Sequence, residues 1–142
     1  MKRILVALDA SARAAHVLDT AVQLSAKLGG TLTVLRVVGI PVEIPMETWS
    51  VAPAQLADSL VEAAQQSLRT LVANIPPGLL EDVSVEVGVP WQTICEVAGA
   101  RDCDLIVLGT HGHSMLDRLL GTTAARVANH APCSVFMVRS NV

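Results

Sequence analysis

Residues 105–123 read LIVLGTHGHSMLDRLLGTT, and this stretch decides the fold. It begins as a short apolar run, Leu105 to Leu108, of the kind that forms a strand buried on both faces. A segment with three glycines follows, and two threonines then open a helix that extends to Asn129. A buried strand that leads through a glycine-rich segment into a helix is typical of α/β proteins with a parallel sheet.

The rest of the chain repeats this alternation. The pattern predicts five strands, each rich in leucine or β-branched residues: Ile4 to Leu8, Leu32 to Val38, Val83 to Val87, Leu105 to Leu108 and Ser134 to Val138. Four helices fit between them. The first opens at Ser11 and stops at Gly29, and the second carries an apolar stripe from Leu56 to Ile75. The third runs from Pro90 to about Arg101, and the fourth from Gly121 to Asn129. We therefore predict an open five-stranded parallel sheet with helices on both faces.

The composition limits the size and the partners of the protein. A chain of 142 residues has the length of one domain, and we expect a single domain over residues 1–142. Hydrophobic residues make up 51% and charged residues 16%, as expected of a sheet buried on both faces. The net charge is −3 and the basic residues are scattered, so nucleic acid is not an expected partner.

The apolar runs are too short for a membrane span, which needs about 20 residues. Three cysteines, at positions 95, 103 and 133, show no Cys-x-x-Cys spacing. This number and spacing suit a reducing compartment, so we expect a cytoplasmic protein with no membrane partner and with buried, inert thiols.

Ligands of open parallel sheets bind outside the carboxyl ends of the strands, and the glycine-rich segment lies at that edge. Glycines without a Cβ allow main-chain N–H groups to approach a phosphate, and hydroxyls at a helix start add donors beside the positive end of the helix dipole. The residues that supply these groups are Gly109, Gly112, Gly121, Thr122 and Thr123. The sequence therefore predicts a nucleotide site, although a glycine turn followed by a capped helix is the simpler alternative.

Other polar residues near the sheet have two interpretations each. Asp9 follows the first strand, where it could accept hydrogen bonds from a base or a ribose or could cap the first helix. His111 and His113 alternate as metal ligands can, but without a third ligand nearby a phosphate contact or plain exposure is favoured. Asp102 and Asp104 precede the fourth strand, on the opposite edge, and are interpreted as turn caps.

The connection from Gly39 to Pro53 is unusually apolar and contains no lysine or arginine. Three roles stay open for it: a lid over the ligand, a surface for a partner chain, or cover for the edge of its own sheet.

Several motifs, taken in order, resemble those of the universal stress protein family over the whole chain. They are KRILVALDAS at residues 2–11, LRVV at 35–38, VGVPW at 87–91, DLIVLGTHG at 104–112, GTT at 121–123 and HAPCSVFMVR at 130–139. The resemblance implies a Rossmann-like sheet with the strand order 3-2-1-4-5. Family members that bind ATP typically carry Gly-x2-Gly-x9-Gly-Ser/Thr. This chain has eight residues rather than nine in the second gap, and Ala10 stands where the family often has glycine.

The resemblance also assigns the binding residues and a partner. Adenine and ribose would contact Asp9 and the main chain of Ala7 and Val37, and the ribose and phosphates would contact Gly109, Gly112, His113, Gly121, Thr122 and Thr123. The implied ligand is ATP, with ADP or AMP as alternatives given the shorter gap, and the need for Mg²⁺ stays open. The family further implies a homodimer in which the edge strand Ser134 to Val138 pairs with its copy, and an unprotected apolar edge favours such pairing.

Three functions follow from these residues. We favour a nucleotide-binding regulatory module of the stress response, with at most slow ATP hydrolysis, because no nucleophile with an oriented base stands at the ligand edge. The alternatives are a slow ATPase or nucleotidyl-transfer enzyme of the same superfold, and a dimeric interaction protein that binds no nucleotide. We predict neither catalytic residues nor a metal site.

Overall fold

The computed structural model of the protein describes residues 2–39, 53–110 and 122–139. Strands and helices alternate through these residues as predicted. In chain order they are β1 (Arg3–Leu8), α1 (Ala14–Leu28), β2 (Thr31–Val38), α2 (Pro53–Val72), β3 (Leu80–Val87), α3 (Pro90–Ala100), β4 (Leu105–Gly109), α4 (Thr122–His130) and β5 (Ser134–Val138). The largest difference from the predicted strands is that β3 begins at Leu80 rather than at Val83.

The five strands form one parallel sheet in the order β3-β2-β1-β4-β5. This confirms the predicted Rossmann-like architecture. The central strand β1 pairs with β2 on one side and β4 on the other, so that Leu8 lies opposite Arg36 and Ala7 lies opposite both Leu35 and Leu108. The carboxyl ends of β1, β2 and β4 therefore meet at one edge.

Two apolar cores cover the two faces of the sheet. On the first face, α1 and α2 bury side chains such as Val17 and Leu68 against Val6, Val34 and Val107. On the second face, buried side chains of α3 and α4 pack against buried side chains of the strands. The residues of this core include Ile94, Ala98, Ala124 and Val127 from the helices and Leu5, Leu35, Ile106 and Leu108 from the strands. Alternate residues of each strand face opposite cores, which is why the strands are apolar almost throughout.

The ends of α1 differ in how well the sequence predicted them. Ser11 is not the helix cap, because its N–H and its Oγ both donate to Asp9 Oδ1, at 2.9 and 2.6 Å. The helix begins three residues later, at Ala14, and the Ser11 hydroxyl accepts the Arg13 N–H at 3.2 Å. The other end is as predicted: Gly29 takes the left-handed conformation, with φ of 68°, and its N–H donates to the Ser25 carbonyl.

The apolar stripes of the first two helices are buried only in part. Leu28, Leu56 and Leu60 are exposed, and α2 ends at Val72, so that Ile75 lies in the turn that follows the helix. The described helices include none that is both long and apolar enough to cross a membrane.

An aromatic contact joins α3 to α4. The Trp91 ring lies 4.7 Å from the His130 ring, centroid to centroid, and the Arg126 guanidinium carbon lies 5.8 Å from the Trp91 centroid. His130 Nδ1 is also 2.8 Å from the Arg126 carbonyl oxygen. The two contacts of Trp91 attach the second half of α4 to the first turn of α3.

Candidate functional site

A crevice of about 620 Å³ opens where β1, β2 and β4 end. Its volume lies in the range of small-molecule and cofactor sites in proteins. The lining comes from all three strand ends, from the residues that follow β1, and from α1, α2, α3 and the first turn of α4. Because α1 and α2 cover one face of the sheet while α3 and α4 cover the other, the crevice is walled from both faces. This is the edge at which the sequence predicted a ligand.

Six of the nine predicted site residues line this crevice: Ala7, Asp9, Val37, Gly109, Thr122 and Thr123. They come from four separate elements, and the fold alone brings them together. The other three, Gly112, His113 and Gly121, lie outside the described residues, as do residues 40–52 of the apolar connection and the candidate metal ligand His111.

Asp9 follows β1 directly and lines the crevice. Its two hydrogen bonds with Ser11 both end on Oδ1, so the carboxylate holds the turn before α1 without using Oδ2 in either bond. The two interpretations of Asp9, as a capping group and as a ligand group, are therefore compatible. A carboxylate accepts several hydrogen bonds at once, including those of ribose hydroxyls or a base amine.

Gly109 is the last residue of β4 and pairs with Val138 of β5. A Cβ at this position would lie 3.2 Å from Val17 Cγ2 of α1. The glycine thus allows α1 to pack closely under the crevice, and it leaves the main chain of the rim uncovered by a side chain. Gly88, at the end of β3, has a different role, because a Cβ there would lie 2.6 Å from Thr93 Oγ1 of α3.

Thr122 and Thr123 are the first two residues of α4, and both line the crevice. The first N–H groups of a helix lack partners within the helix, and the helix dipole adds partial positive charge there. Two hydroxyls beside these N–H groups give a set of donors suited to an anion. The two threonines thus lie at the predicted position, and their phosphate-binding role stays a prediction.

The two walls of the crevice differ in charge. On the side of α3 and α4 the lining is uncharged and includes Pro90, Ile94 and Ala124 beside the two threonines. On the side of α1 and α2 two cations, Arg13 and Arg36, stand among apolar side chains. A protein with a net charge of −3 therefore lines this crevice with two arginines as well as Asp9.

Sequence reasoning missed these two arginines and also Thr110. The hydroxyl of Thr110 is buried in the crevice wall and has no hydrogen-bond partner among the described residues, whereas its N–H donates to the Val138 carbonyl at 3.1 Å. The available signal was Arg36 itself, a charged residue near the carboxyl end of the otherwise uncharged strand TLTVLRVV. A charge in a buried strand indicates a polar surface at that point.

The opposite edge of the sheet is structural. Asp104 accepts the Lys2 and Arg3 N–H groups at 2.9 and 3.0 Å, and these two bonds hold the pKa of its carboxyl below the ordinary value. Asp102 adopts a left-handed turn conformation, with φ of 51°. Asp102 therefore lies in the turn as predicted, whereas Asp104 does not cap this turn and instead ties the start of β4 to the start of β1. Within the described ranges, no cluster of three His, Cys, Asp or Glu side chains could hold a metal ion.

The three cysteines are free, and Cys103 is buried while Cys95 and Cys133 are half-buried. All three pack in the core under α3 and α4. Burial is the main cause that raises the pKa of each thiol above its ordinary value. A raised pKa lowers the thiolate fraction at neutral pH, in agreement with the prediction of inert thiols.

Comparison with known proteins identifies the family. The model of the universal stress protein family matches residues 1–139. The chain belongs to the universal stress protein family. Universal stress protein A homolog 1 of Coxiella burnetii is 34% identical over 140 residues, which cover 96% of this chain and 95% of the relative.

Solved structures of the family share the fold. Universal stress protein UspA from Lactobacillus plantarum superposes with a TM-score of 0.82 at 30% identity, and the match covers 97% of each chain. Two more distant structures were solved with adenine nucleotides. One is a universal stress protein in complex with cAMP (TM-score 0.62, 22% identity, 96% of each chain). The other, from Archaeoglobus fulgidus, is in complex with dAMP (TM-score 0.68, 21% identity, 96% of this chain and 97% of that one).

Proposed function

We propose that this universal stress protein binds an adenine nucleotide of the ATP type in the crevice and acts as a regulatory module of the stress response. The observation that carries the proposal is the convergence of Asp9, Gly109, Thr122 and Thr123 on one crevice at the carboxyl edge. Carboxylate, bare main chain and helix-start hydroxyls are the groups that ribose and phosphate require. The cAMP and dAMP complexes of distant relatives support adenine as the base.

In the proposed complex, each part of the nucleotide has its own contacts. The base would lie on the apolar wall beside the main chain of Ala7 and Val37, and the ribose would lie over Asp9. The phosphates would reach the start of α4 together with the glycines at 109, 112 and 121 and the imidazole of His113. Mg²⁺ would travel with the phosphates rather than bind to a metal site of the protein. Binding would then order the crevice rather than begin a reaction, so we propose at most slow hydrolysis.

The first experiment identifies the ligand. Protein purified without added nucleotide is denatured, and the released small molecules are separated by chromatography. Calorimetry of the wild-type protein with ATP and magnesium then gives the dissociation constant. Recovery of an adenine nucleotide, or heat and stabilisation at millimolar ATP, supports the proposal. Absence of all three would overturn it.

Two variants test the site with matched controls. Asp9→Ala and Gly121→Val should each weaken ATP binding at least about 10-fold, since each removes or blocks a proposed contact. Asp58→Ala changes an exposed carboxylate of α2, and Gly78→Val changes an exposed glycine whose Cβ would meet nothing within 4 Å. Both controls should bind as the wild type does. Unchanged binding by Asp9→Ala and Gly121→Val would remove the assigned site.

We also propose that the protein is a cytoplasmic homodimer formed by antiparallel pairing of β5 with its copy. The strand lies at the end of the sheet, paired with β4 on one side, and its Phe136 is 41% exposed. Light scattering on Phe136→Lys should give a monomer. Leu28→Lys, which changes an equally exposed leucine of α1, should leave the dimer intact. A monomeric wild type would contradict the proposal.

A further inference from the structure

Arg13 directly precedes α1 at the carboxyl edge, and the nucleotide contacts proposed above do not include it. Its side chain is half-buried and lines the crevice. Its carbonyl accepts the Val17 N–H at 3.1 Å, so the two residues share one face of the helix, a turn apart. Val17 lies against the end of β4, because its Cγ2 is 3.2 Å from the position that a Cβ on Gly109 would occupy. Helical side chains lean toward the start of their helix, so Arg13 extends toward the crevice at the end of β4.

A cation at this position is unfavourable for the helix itself. The start of a helix carries partial positive charge, so acidic side chains stabilise it and basic side chains destabilise it. The first turn of α1 contains no acidic residue, and the Arg13 side chain makes no capping hydrogen bond. The hydrogen bonds of this turn join the main chain to Ser11 and do not need the guanidinium. A charge that opposes the local fold and lines a crevice is a feature of binding sites, where function is favoured over stability.

The starts of two helices line the crevice from the two faces of the sheet. Thr122 and Thr123 open α4 on one face, and Arg13 precedes α1 on the other. In the proposed complex the phosphates lie at the start of α4 and beside Gly109, the residue that Val17 lies against. The hydroxyls and N–H groups of α4 are neutral donors, whereas the guanidinium of Arg13 carries a full charge. Its attraction for the ligand therefore grows with each phosphate that is added.

We propose that Arg13 binds the phosphates beyond the first one, and that it gives the crevice a preference for adenosine di- and triphosphates over AMP. This inference rests on the proposed nucleotide binding and adds the residue that distinguishes the number of phosphates. A planar guanidinium donates two parallel hydrogen bonds to a phosphate, which gives more selectivity than a point charge. Arg36, which also lines the crevice, is less suited to this role, because β1 lies between its strand β2 and β4 and keeps the two strands about 10 Å apart.

The test compares AMP, ADP and ATP by calorimetry on the full chain, in one buffer that contains magnesium. Wild type should bind ATP at least about 10-fold more tightly than AMP, as expected of charge-assisted hydrogen bonds. In Arg13→Gln this ratio should fall below about 3-fold, while AMP affinity stays within about 3-fold of wild type. Arg13→Lys, which keeps the charge but not the planar group, should restore part of the ratio. The melting temperature of Arg13→Gln without ligand should fall by less than about 2 °C, since the helix does not need this cation.

Two controls remove the same charge elsewhere. Arg69→Gln changes the last turn of α2, outside the crevice, and should keep the wild-type ratio. Arg36→Gln changes the crevice on β2 and should lower the ratio less than Arg13→Gln does. Equal affinity of wild type for AMP and ATP overturns the role of Arg13 and leaves nucleotide binding intact. So does an equal loss for AMP and ATP in Arg13→Gln, a loss of the ratio just as large in Arg36→Gln, or a larger fall in the melting temperature of Arg13→Gln. If no nucleotide binds at all, the proposed function and this inference are both wrong.

Discussion

The same strands form both edges of the sheet, but the polar side chains at the two edges differ in whether they have partners within the protein. At the amino edge, Asp104 accepts two N–H groups, and Arg101 pairs with Asp82 while its carbonyl accepts Arg3 Nη1 at 3.0 Å. At the carboxyl edge, the described part of the chain leaves the Thr110 hydroxyl without a partner and Arg36 without a carboxylate. Polar groups that satisfy one another stabilise a fold, whereas polar groups left open in a crevice are suited to a ligand.

This comparison predicts that changes at the amino edge reduce stability and that changes at the carboxyl edge reduce binding. The largest effect is expected at Gly30, which joins α1 to β2. A Cβ there would lie 2.8 Å from the Lys2 carbonyl oxygen, which is main chain and cannot move aside easily. Gly30→Val should lower the free energy of unfolding by about 3 kcal/mol, a value typical of strong steric conflict.

Urea denaturation measures this loss, with Gly78→Val as the control that should stay within about 0.5 kcal/mol of wild type. The folded fraction of Gly30→Val should bind ATP with normal affinity. A Gly30→Val protein that is as stable as wild type but has lost nucleotide binding would contradict the prediction that changes at the amino edge act on stability.

The second effect concerns the start of α4. Replacing both Thr122 and Thr123 by valine keeps the side-chain shape and removes the two hydroxyls, so we expect ATP binding to weaken about 10-fold, or about 1.4 kcal/mol. Adenosine, which lacks phosphates, should bind the variant as it binds wild type. Calorimetry with both ligands separates the outcomes, and an equal loss for adenosine and ATP would place the threonines at the base or ribose instead.

The smallest effect is expected at Asp104, which is exposed. The two N–H groups lower the pKa of its carboxyl in the folded state, so the ionised form stabilises the fold. This contribution is complete above the ordinary pKa near 3.8 and is lost as the pH falls through the lower folded value. Asp104→Asn should therefore melt slightly below wild type at pH 7, and the gap should narrow as the pH falls below about 4 and close below the folded pKa. A gap independent of pH would contradict this account.

The architecture could be predicted from sequence because hydrophobic burial imposes it at every strand. Runs such as Ile4 to Leu8 and Leu105 to Leu108 are apolar on both faces, which only a sheet covered on both faces permits. The strand order required more, and it came from the family motifs. The site residues at strand ends could be predicted as well, since the carboxyl edge of such a sheet is fixed once the strands are known.

The features that could not be predicted from the sequence depend on contacts between residues that are distant in the chain, or on competition between neighbouring groups for the same hydrogen-bond donors. Ser11 has the properties of a helix cap, but Asp9 is two residues away and takes both of its donors. Arg36 has no local signature of a binding residue, and its place in the crevice follows from the pairing of β2 with β1. Leu56 belongs to an apolar stripe and is nevertheless 44% exposed. The spacing of apolar residues along a helix does not show how far the elements that cover the helix extend.

The crevice is walled by elements from both faces of the sheet, and this has a consequence for the lifetime of the protein. A small molecule held there would contact α1, α4 and three strand ends together, so its binding energy would add to the stability of both cores. At a concentration 100 times its dissociation constant the gain is about 2.7 kcal/mol. Cells degrade the unfolded population, so a shortage of the molecule would be registered as faster turnover of the protein itself. The abundance of this protein would then follow the concentration of the small molecule in the cell.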